Sequence, residues 1–222
     1  MIPLGDTARS RSFPIVNWLI IIVTVAVFIL VESRLTPRRL DQLILTYGTV
    51  PARLVAGDPA AILTLLTSMF LHGGWLHLIS NVWALFIFGD NVEDRLGALR
   101  YLTFYLLCGS VAGVVQVAAT PTSQAPAIGA SGAIAGVMAA YLVLLPRARV
   151  VALVPLFFFL PWLVEIPAII FIGFWFLIQV FSGVQTLDSV ALEGGIAYWA
   201  HIGGFVCGLL LVKLLARRVV HS

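Results

Sequence analysis

Apolar residues in this chain gather into long runs bounded by charges or by glycine and proline. The runs give six spans, near residues 15 to 32, 68 to 88, 99 to 118, 131 to 146, 163 to 182 and 196 to 215. A bilayer span needs roughly 20 mostly apolar residues, so the pattern predicts an all-α polytopic membrane protein. One long connection, from 33 to 67, holds Pro37, Pro51, Gly57 and Pro59 yet is rich in Leu, Ile and Ala. Such a segment is expected to lie partly in the membrane interface.

Two stretches depart from a plain six-span bundle. Before the short fourth run, Thr120 to Gly129 carries no charge and contains Pro121 and Pro126. Non-helical backbone is expected to enter there to membrane depth, which is tolerated only where protein or a water-filled cavity satisfies it. The apolar stretch from Val150 to Val180 would make a helix near ~46 Å, too long for one span. Pro155, Pro161 and Pro167 offer breaks, which predicts an interfacial turn over Val150 to Leu160.

Composition supports the same class. Of 222 residues, 61% are hydrophobic and 10% charged, and the mean hydropathy is +1.06. That leaves too little polar surface for a soluble domain and no room for a second one. A single membrane-embedded domain over 1–222 is expected, with its core from about 13 to 216. The net charge of +3 does not indicate a nucleic-acid partner, because the 13 Lys and Arg are scattered in ones and twos. With the N-terminus inside, nine of them (Arg9, Arg11, Arg95, Arg100, Arg147, Arg149, Lys213, Arg217 and Arg218) are cytoplasmic, against Arg34, Arg38, Arg39 and Arg53 outside. Both termini are therefore expected in the cytoplasm. Arg9 and Arg11 precede an apolar run as in a signal peptide, but the run is long and no small-residue cleavage site follows, so it reads as a retained first span. Cys108 and Cys207 fall inside apolar runs and imply no disulfide framework.

Polar groups inside spans are expensive, and each must be held by something. They are His77, Ser80 and Asn81 in the second span, Ser131 at the start of the fourth, Glu165 and Gln179 in the fifth and His201 in the sixth. Ser131 sits in Gly129-Ala130-Ser131-Gly132 at an expected helix N-terminus. It is either a cap among packing glycines or a nucleophile beside free backbone N–H groups that form an oxyanion site. His201 is either an interfacial histidine or a base. Gly204 and Gly208 on its helix, with Gly132 and Gly136, would let the two backbones approach until Ser131 and His201 meet within ~3 Å. None of the ten acids is available to orient His201, so a Ser-His dyad is the economical arrangement. On a helix, His77 and Asn81 stand ~40° apart and His72 and His77 ~140° apart, so His77 and Asn81 can together donate toward an oxyanion. A metal site is disfavoured: zinc proteases pair histidines four apart around a Glu, and no acid lies between 59 and 89.

Taken together, these features resemble the rhomboid family of intramembrane serine proteases. The pattern HxxxxHxxxN falls at His72, His77 and Asn81, GxSG at Gly129 to Gly132, and HxxGxxxG at His201, Gly204 and Gly208; Gly89, Glu93, Gly97, Tyr101 and Tyr105 also look like the family. The resemblance runs from about 46 to 212. It implies a rhomboid-like bundle with a Ser131-His201 dyad and an oxyanion held by His77, Asn81 and the Ser131 amide, without cofactor or metal. It also implies a structural His72 bracing the first loop, and a water-filled cavity open to the outside. Substrates would be single-span proteins whose helices unwind near a small residue, admitted sideways between spans two and five. The implied setting is the lipid bilayer, in the bacterial cytoplasmic membrane.

Two positions depart from the family. Ala135 stands where many members carry an aromatic that stacks on the catalytic histidine, so another group must position His201. The first loop lacks the family's Trp-Arg pair, leaving Arg53 as the candidate anchor. The competing functions are a catalytically silent relative that binds membrane helices, which would be expected to lose Ser131 or His201, and a channel or carrier, which should show repeated halves with charged midplane residues. Glu93 and Arg95 are expected to make helix-end hydrogen bonds and salt bridges, and Glu165 a cytoplasmic-end contact. Trp162, Phe174, Trp175 and Phe176 are expected to face lipid or pack, with Trp175 or Phe176 as part of a substrate gate.

Overall fold

A computed structural model describes residues 1–156, 160–187 and 196–216. Arg217 and Arg218 of the charge count, the acids Asp188 and Glu193, and part of the turn expected near 160 lie outside the described residues.

Six helical rods follow the six apolar runs. The first is α1 (Ile15–Leu30). The segment between the first two rods holds three short helices, α2 (Pro37–Tyr47), α3 (Pro51–Val55) and α4 (Ala61–Thr67). The second rod is α5 (Trp75–Ala84), a π-helical turn at Leu85–Gly89, and α6 (Asp90–Leu96). Then come α7 (Ala98–Ala119), α8 (Ser131–Leu144), α9 (Ala168–Leu187) and α10 (Tyr198–Leu215). Among the described residues, four helices are long and apolar enough to cross a membrane, and a fifth if the bent pair Ala61–Phe70 and Trp75–Leu96 is one span. α8 is shorter and lies at the centre, with Gly132 to Tyr141 buried.

Two local expectations, the start of the second rod and the turn after α8, are corrected. The second rod begins at Trp75, because the chain bends by 82° between Phe70 and Trp75. His72 therefore lies ahead of the helix that carries His77, and the ~140° helical separation does not apply to that pair. The stretch 33 to 67 is helical over much of its length, with prolines at the first positions of α2 and α3, where a missing N–H costs nothing. The apolar stretch after α8 is a hairpin of β2 (Arg149–Leu156) and β3 (Leu160–Pro167), which a strand at the N-terminus, β1 (Ile2–Asp6), extends to a three-stranded antiparallel sheet. Its β-branched Val150, Val151, Val154, Val164 and Ile166 favour extended backbone, and Pro167 ends the strand so that α9 starts at Ala168.

Polar contacts lock the first rods together. The carboxylate of Glu93 accepts from the backbone N–H groups of Val16 (3.0 Å) and Asn17 (2.7 Å), satisfying donors that the start of α1 leaves free. Asn17 donates to the carbonyl of Leu85 in the π turn and accepts from the Tyr101 hydroxyl on α7 (2.8 Å). Glu93 thus caps a helix, and no ion pair joins it to Arg95 among the described residues. Glu165 on β3 pairs with Arg149 on β2 at 3.3 Å, both side chains exposed.

Candidate active site

Ser131 opens α8, and the first amide bonded into that helix is that of Ile134, to the Ala130 carbonyl. The amides of residues 131 to 133 are thus among the free donors of a helix N-terminus and carry its positive dipole end. The extended backbone ahead of Ser131 is held from the first loop. Thr49 and Ala127 exchange both backbone hydrogen bonds (3.0 and 2.8 Å), and the Gly129 N–H donates to the Ser68 carbonyl (2.8 Å). The Thr49 hydroxyl donates to the Thr64 carbonyl and lies 3.1 Å from the Ser68 hydroxyl. Protein thereby satisfies the non-helical stretch before α8, as burial of such backbone requires. Arg53 holds the loop itself: its guanidinium donates to the Leu45 carbonyl (2.8 Å) and to Asp58 (2.7 Å). That bond to Arg53 keeps the Asp58 carboxyl below the usual carboxylate range.

His201 stands in the first turn of α10, and its Nε2 lies 2.7 Å from the Ser131 Oγ. Glycines make that distance possible. A Cβ on Gly204 would run into the carbonyl oxygen of Gly132, and one on Gly208 would lie 2.7 Å from the Gly136 Cα. α8 and α10 therefore touch backbone to backbone, which larger residues would prevent.

The other anticipated residues are placed as follows. Gly129 has φ +112°, a conformation that favours glycine, and a Cβ there would lie 2.6 Å from the His77 Nε2. The His77 ring therefore sits against the backbone leading into Ser131. The amide of Asn81, which is buried, donates to the His77 carbonyl at 2.7 Å. The His72 ring is buried 4.9 Å from that of His77, and its backbone N–H donates to Glu32 at 2.9 Å, tying the end of α1 to the start of the second rod. Gly132 packs against Ala112 of α7 and the Ala200 carbonyl of α10.

Three contacts around His201 join residues that motif and spacing had left unconnected. Gln179 of α9 brings its Oε1 to 2.7 Å from the His201 Nδ1. Trp175, one turn earlier, places its ring centroid 5.7 Å from that of His201, at 38° between planes. Gln116 of α7 accepts from the Ala200 N–H at 3.1 Å, capping the start of α10. The signal for Gln179 was its polarity inside an apolar helix; nothing in the sequence pointed at its partner. Phe176 stacks on Phe205 at 4.1 Å, while Trp162 and Phe174 are exposed. No group of three or more His, Cys, Asp or Glu side chains suited to a metal occurs among the described residues.

Comparison with known proteins points to one family. A family model described as Rhomboid domain matches residues 59–218. Rhomboid-like protein 11, chloroplastic, of Arabidopsis thaliana is 29% identical over 158 residues, covering 68% of this chain and 51% of its own length. Rhomboid protein 1, mitochondrial, of Saccharomyces cerevisiae is 28% identical over 161 residues, 71% of this chain and 43% of its own. The human presenilin-associated rhomboid-like protein, mitochondrial, is 30% identical over 156 residues, 67% of this chain and 36% of its own. The chain thus spans about half or less of the length of these curated relatives.

Proposed function

The chain belongs to the rhomboid family, and on that premise we propose that it is an intramembrane serine endopeptidase in which Ser131 is the nucleophile and His201 the general base. The observation that carries the reading is the 2.7 Å approach of the Ser131 Oγ to the His201 Nε2 across two helices whose glycines permit it. A hydroxyl in that position gives its proton to the imidazole as it attacks a scissile carbonyl, and the imidazole returns it to the leaving amine. The acyl-enzyme is then released by water through the same proton path.

Charge that develops on the carbonyl oxygen falls at the N-terminus of α8, where the Ser131 N–H is a free donor. His77, against Gly129, and Asn81, one turn further along α5, are the side chains assigned to the same oxyanion. In the present structure Asn81 spends one N–H on the His77 carbonyl, which leaves its other N–H for the intermediate. Substrates are transmembrane segments of single-span proteins, which enter beside α5 and α9. Both termini are assigned to the cytoplasm and the site to the opposite face. The single membrane-embedded domain covers the whole of this chain, and the bacterial cytoplasmic membrane is its proposed location.

The test uses purified protein in detergent with a reporter whose transmembrane helix is destabilised by a small residue. The parent is expected to cleave it, and a fluorophosphonate should label Ser131. Ser131→Ala should abolish both while leaving the melting transition unchanged. Cleavage by the Ala variant at the parental rate would reject Ser131 as nucleophile. A folded parent that neither cleaves nor labels would instead be a helix-binding member of the family.

A further inference from the structure

We propose that Gln179 is the positioning residue of the dyad, its carboxamide oxygen fixing the His201 imidazole in the tautomer that accepts the Ser131 proton. The inference rests on the protease reading above and supplies the group that Ala135 lacks. The Gln179 Oε1 lies 2.7 Å from the His201 Nδ1, and the opposite ring nitrogen lies 2.7 Å from the Ser131 Oγ. The orientation of the amide follows from its other end, whose Nε2 donates to the Trp175 carbonyl one turn back on α9 at 3.2 Å. With the NH2 group spent there, the oxygen faces the imidazole. An amide oxygen only accepts, so Nδ1 must carry the hydrogen, and in a neutral ring Nε2 then holds the free lone pair. The flipped amide would donate to Nδ1 and leave Nε2 protonated, unable to take a proton from serine.

The choice of a neutral amide has a physical reason. Gln179 is 7% exposed and His201 8%, inside an apolar bundle. A carboxylate there would have to be stripped of water beside a neutral imidazole, whereas an amide with both ends bonded carries little such cost. Trp175 adds the second constraint, standing beside the imidazole from the same face of α9, four residues before Gln179. One helix, seated once, thus fixes both the edge and the face of the ring.

Gln179→Leu should lower kcat about 30-fold, below the ~10²–10⁴-fold worth of the general base itself, with KM nearly unchanged. Gln179→Glu should retain most turnover and move the acid limb of the kcat/KM profile to higher pH, because an anion at Nδ1 favours the imidazolium. Among the described residues, the titratable group facing His201 is His77 on α5, while α8 and α9 present Ser131, Trp175 and Gln179. His77 is common to parent and variant, so a shift between them reports position 179. A structural role alone would lower the melting temperature and leave that limb in place. If the Leu variant loses its melting transition, Gln179→Met, of equal length but without the acceptor, takes its place; if both do, the Glu profile decides. An active parent matched by the Leu or Met variant, or a Glu variant with an unshifted limb, overturns the inference alone. A parent without cleavage or labelling overturns the protease reading, and this inference with it.

Discussion

The two helices that flank His201 hold it in opposite ways. Where α10 meets α8, a single added carbon at Gly204 would strike the Gly132 carbonyl, and at Gly208 the Gly136 backbone. Where α9 meets the bundle, contact is made by long side chains, Gln179, Trp175 and Phe176, while Ile169, Phe174, Leu177 and Phe181 point outward and are more than half exposed. At Gly173 an added Cβ would meet nothing within 4 Å. The seam sets how far the imidazole stands from the serine; the flank sets which way the ring is turned. A backbone contact cannot adjust without moving a whole helix, whereas side chains can swing, so distance is the rigid quantity and orientation the adjustable one.

The sharpest break of this contrast is Gly204→Ala. It should destabilise the protein by about 3 kcal/mol and abolish fluorophosphonate labelling, read by thermal unfolding in detergent and by mass spectrometry. A folded, labelled variant would mean that α8 and α10 can separate and still bring Ser131 and His201 together. Next comes Gly129→Ala, which forces an alanine toward φ +112° and pushes on the His77 ring. A loss of ~1–3 kcal/mol is expected, with turnover falling more than substrate binding; kinetics at matched folded fraction checks it. On the flank, Gly173→Ala should keep parental cleavage and raise stability by ~0.5–1 kcal/mol, since it adds a better helix former in open space.

The smallest effect lies at the far end of α8, where the Tyr141 hydroxyl donates to Asp6 of β1. Burial raises the Asp6 carboxyl from 3.8 to about 6, against the lowering effect of the Tyr141 bond. The folded state therefore binds the proton more tightly than the unfolded chain. Its contribution to stability is complete below pH 3.8 and is lost as pH rises through about 6. Amides of the β1–β2 ladder, corrected for intrinsic rate, should exchange faster at pH 7 than at pH 5, and Asp6→Asn should remove most of the difference. Equal protection at both pH values in the parent would argue against that burial effect.

Much of the bundle was legible because span length and small-residue spacing are one-dimensional signals. The runs near 99 to 118 and 196 to 215 became α7 and α10 within a few residues. The run near 68 to 88 was misread at its start because hydrophobicity does not register an 82° turn at Leu71 to Gly74, where both sides are apolar. The stretch after Arg149 was misread for a related reason. A fully apolar segment carries no period, and pairing with residues 2–6 at the other end of the chain is invisible to a local pattern. Gly129-Ala130-Ser131-Gly132 and His201 stood out because polar and flexible residues are costly in a membrane and must be accounted for.

The sequence by itself determined the class of molecule, the order of its spans and the glycine faces that let two backbones touch, since each depends on residue type and spacing along one helix. Only the tertiary structure decided that Gln179 meets His201, that Gln116 caps α10, and that Thr49 and Ser68 hold the strand ahead of Ser131. Those contacts join residues on different elements, and which atoms meet there depends on how the helices rotate about their axes, a quantity that packing fixes and composition does not.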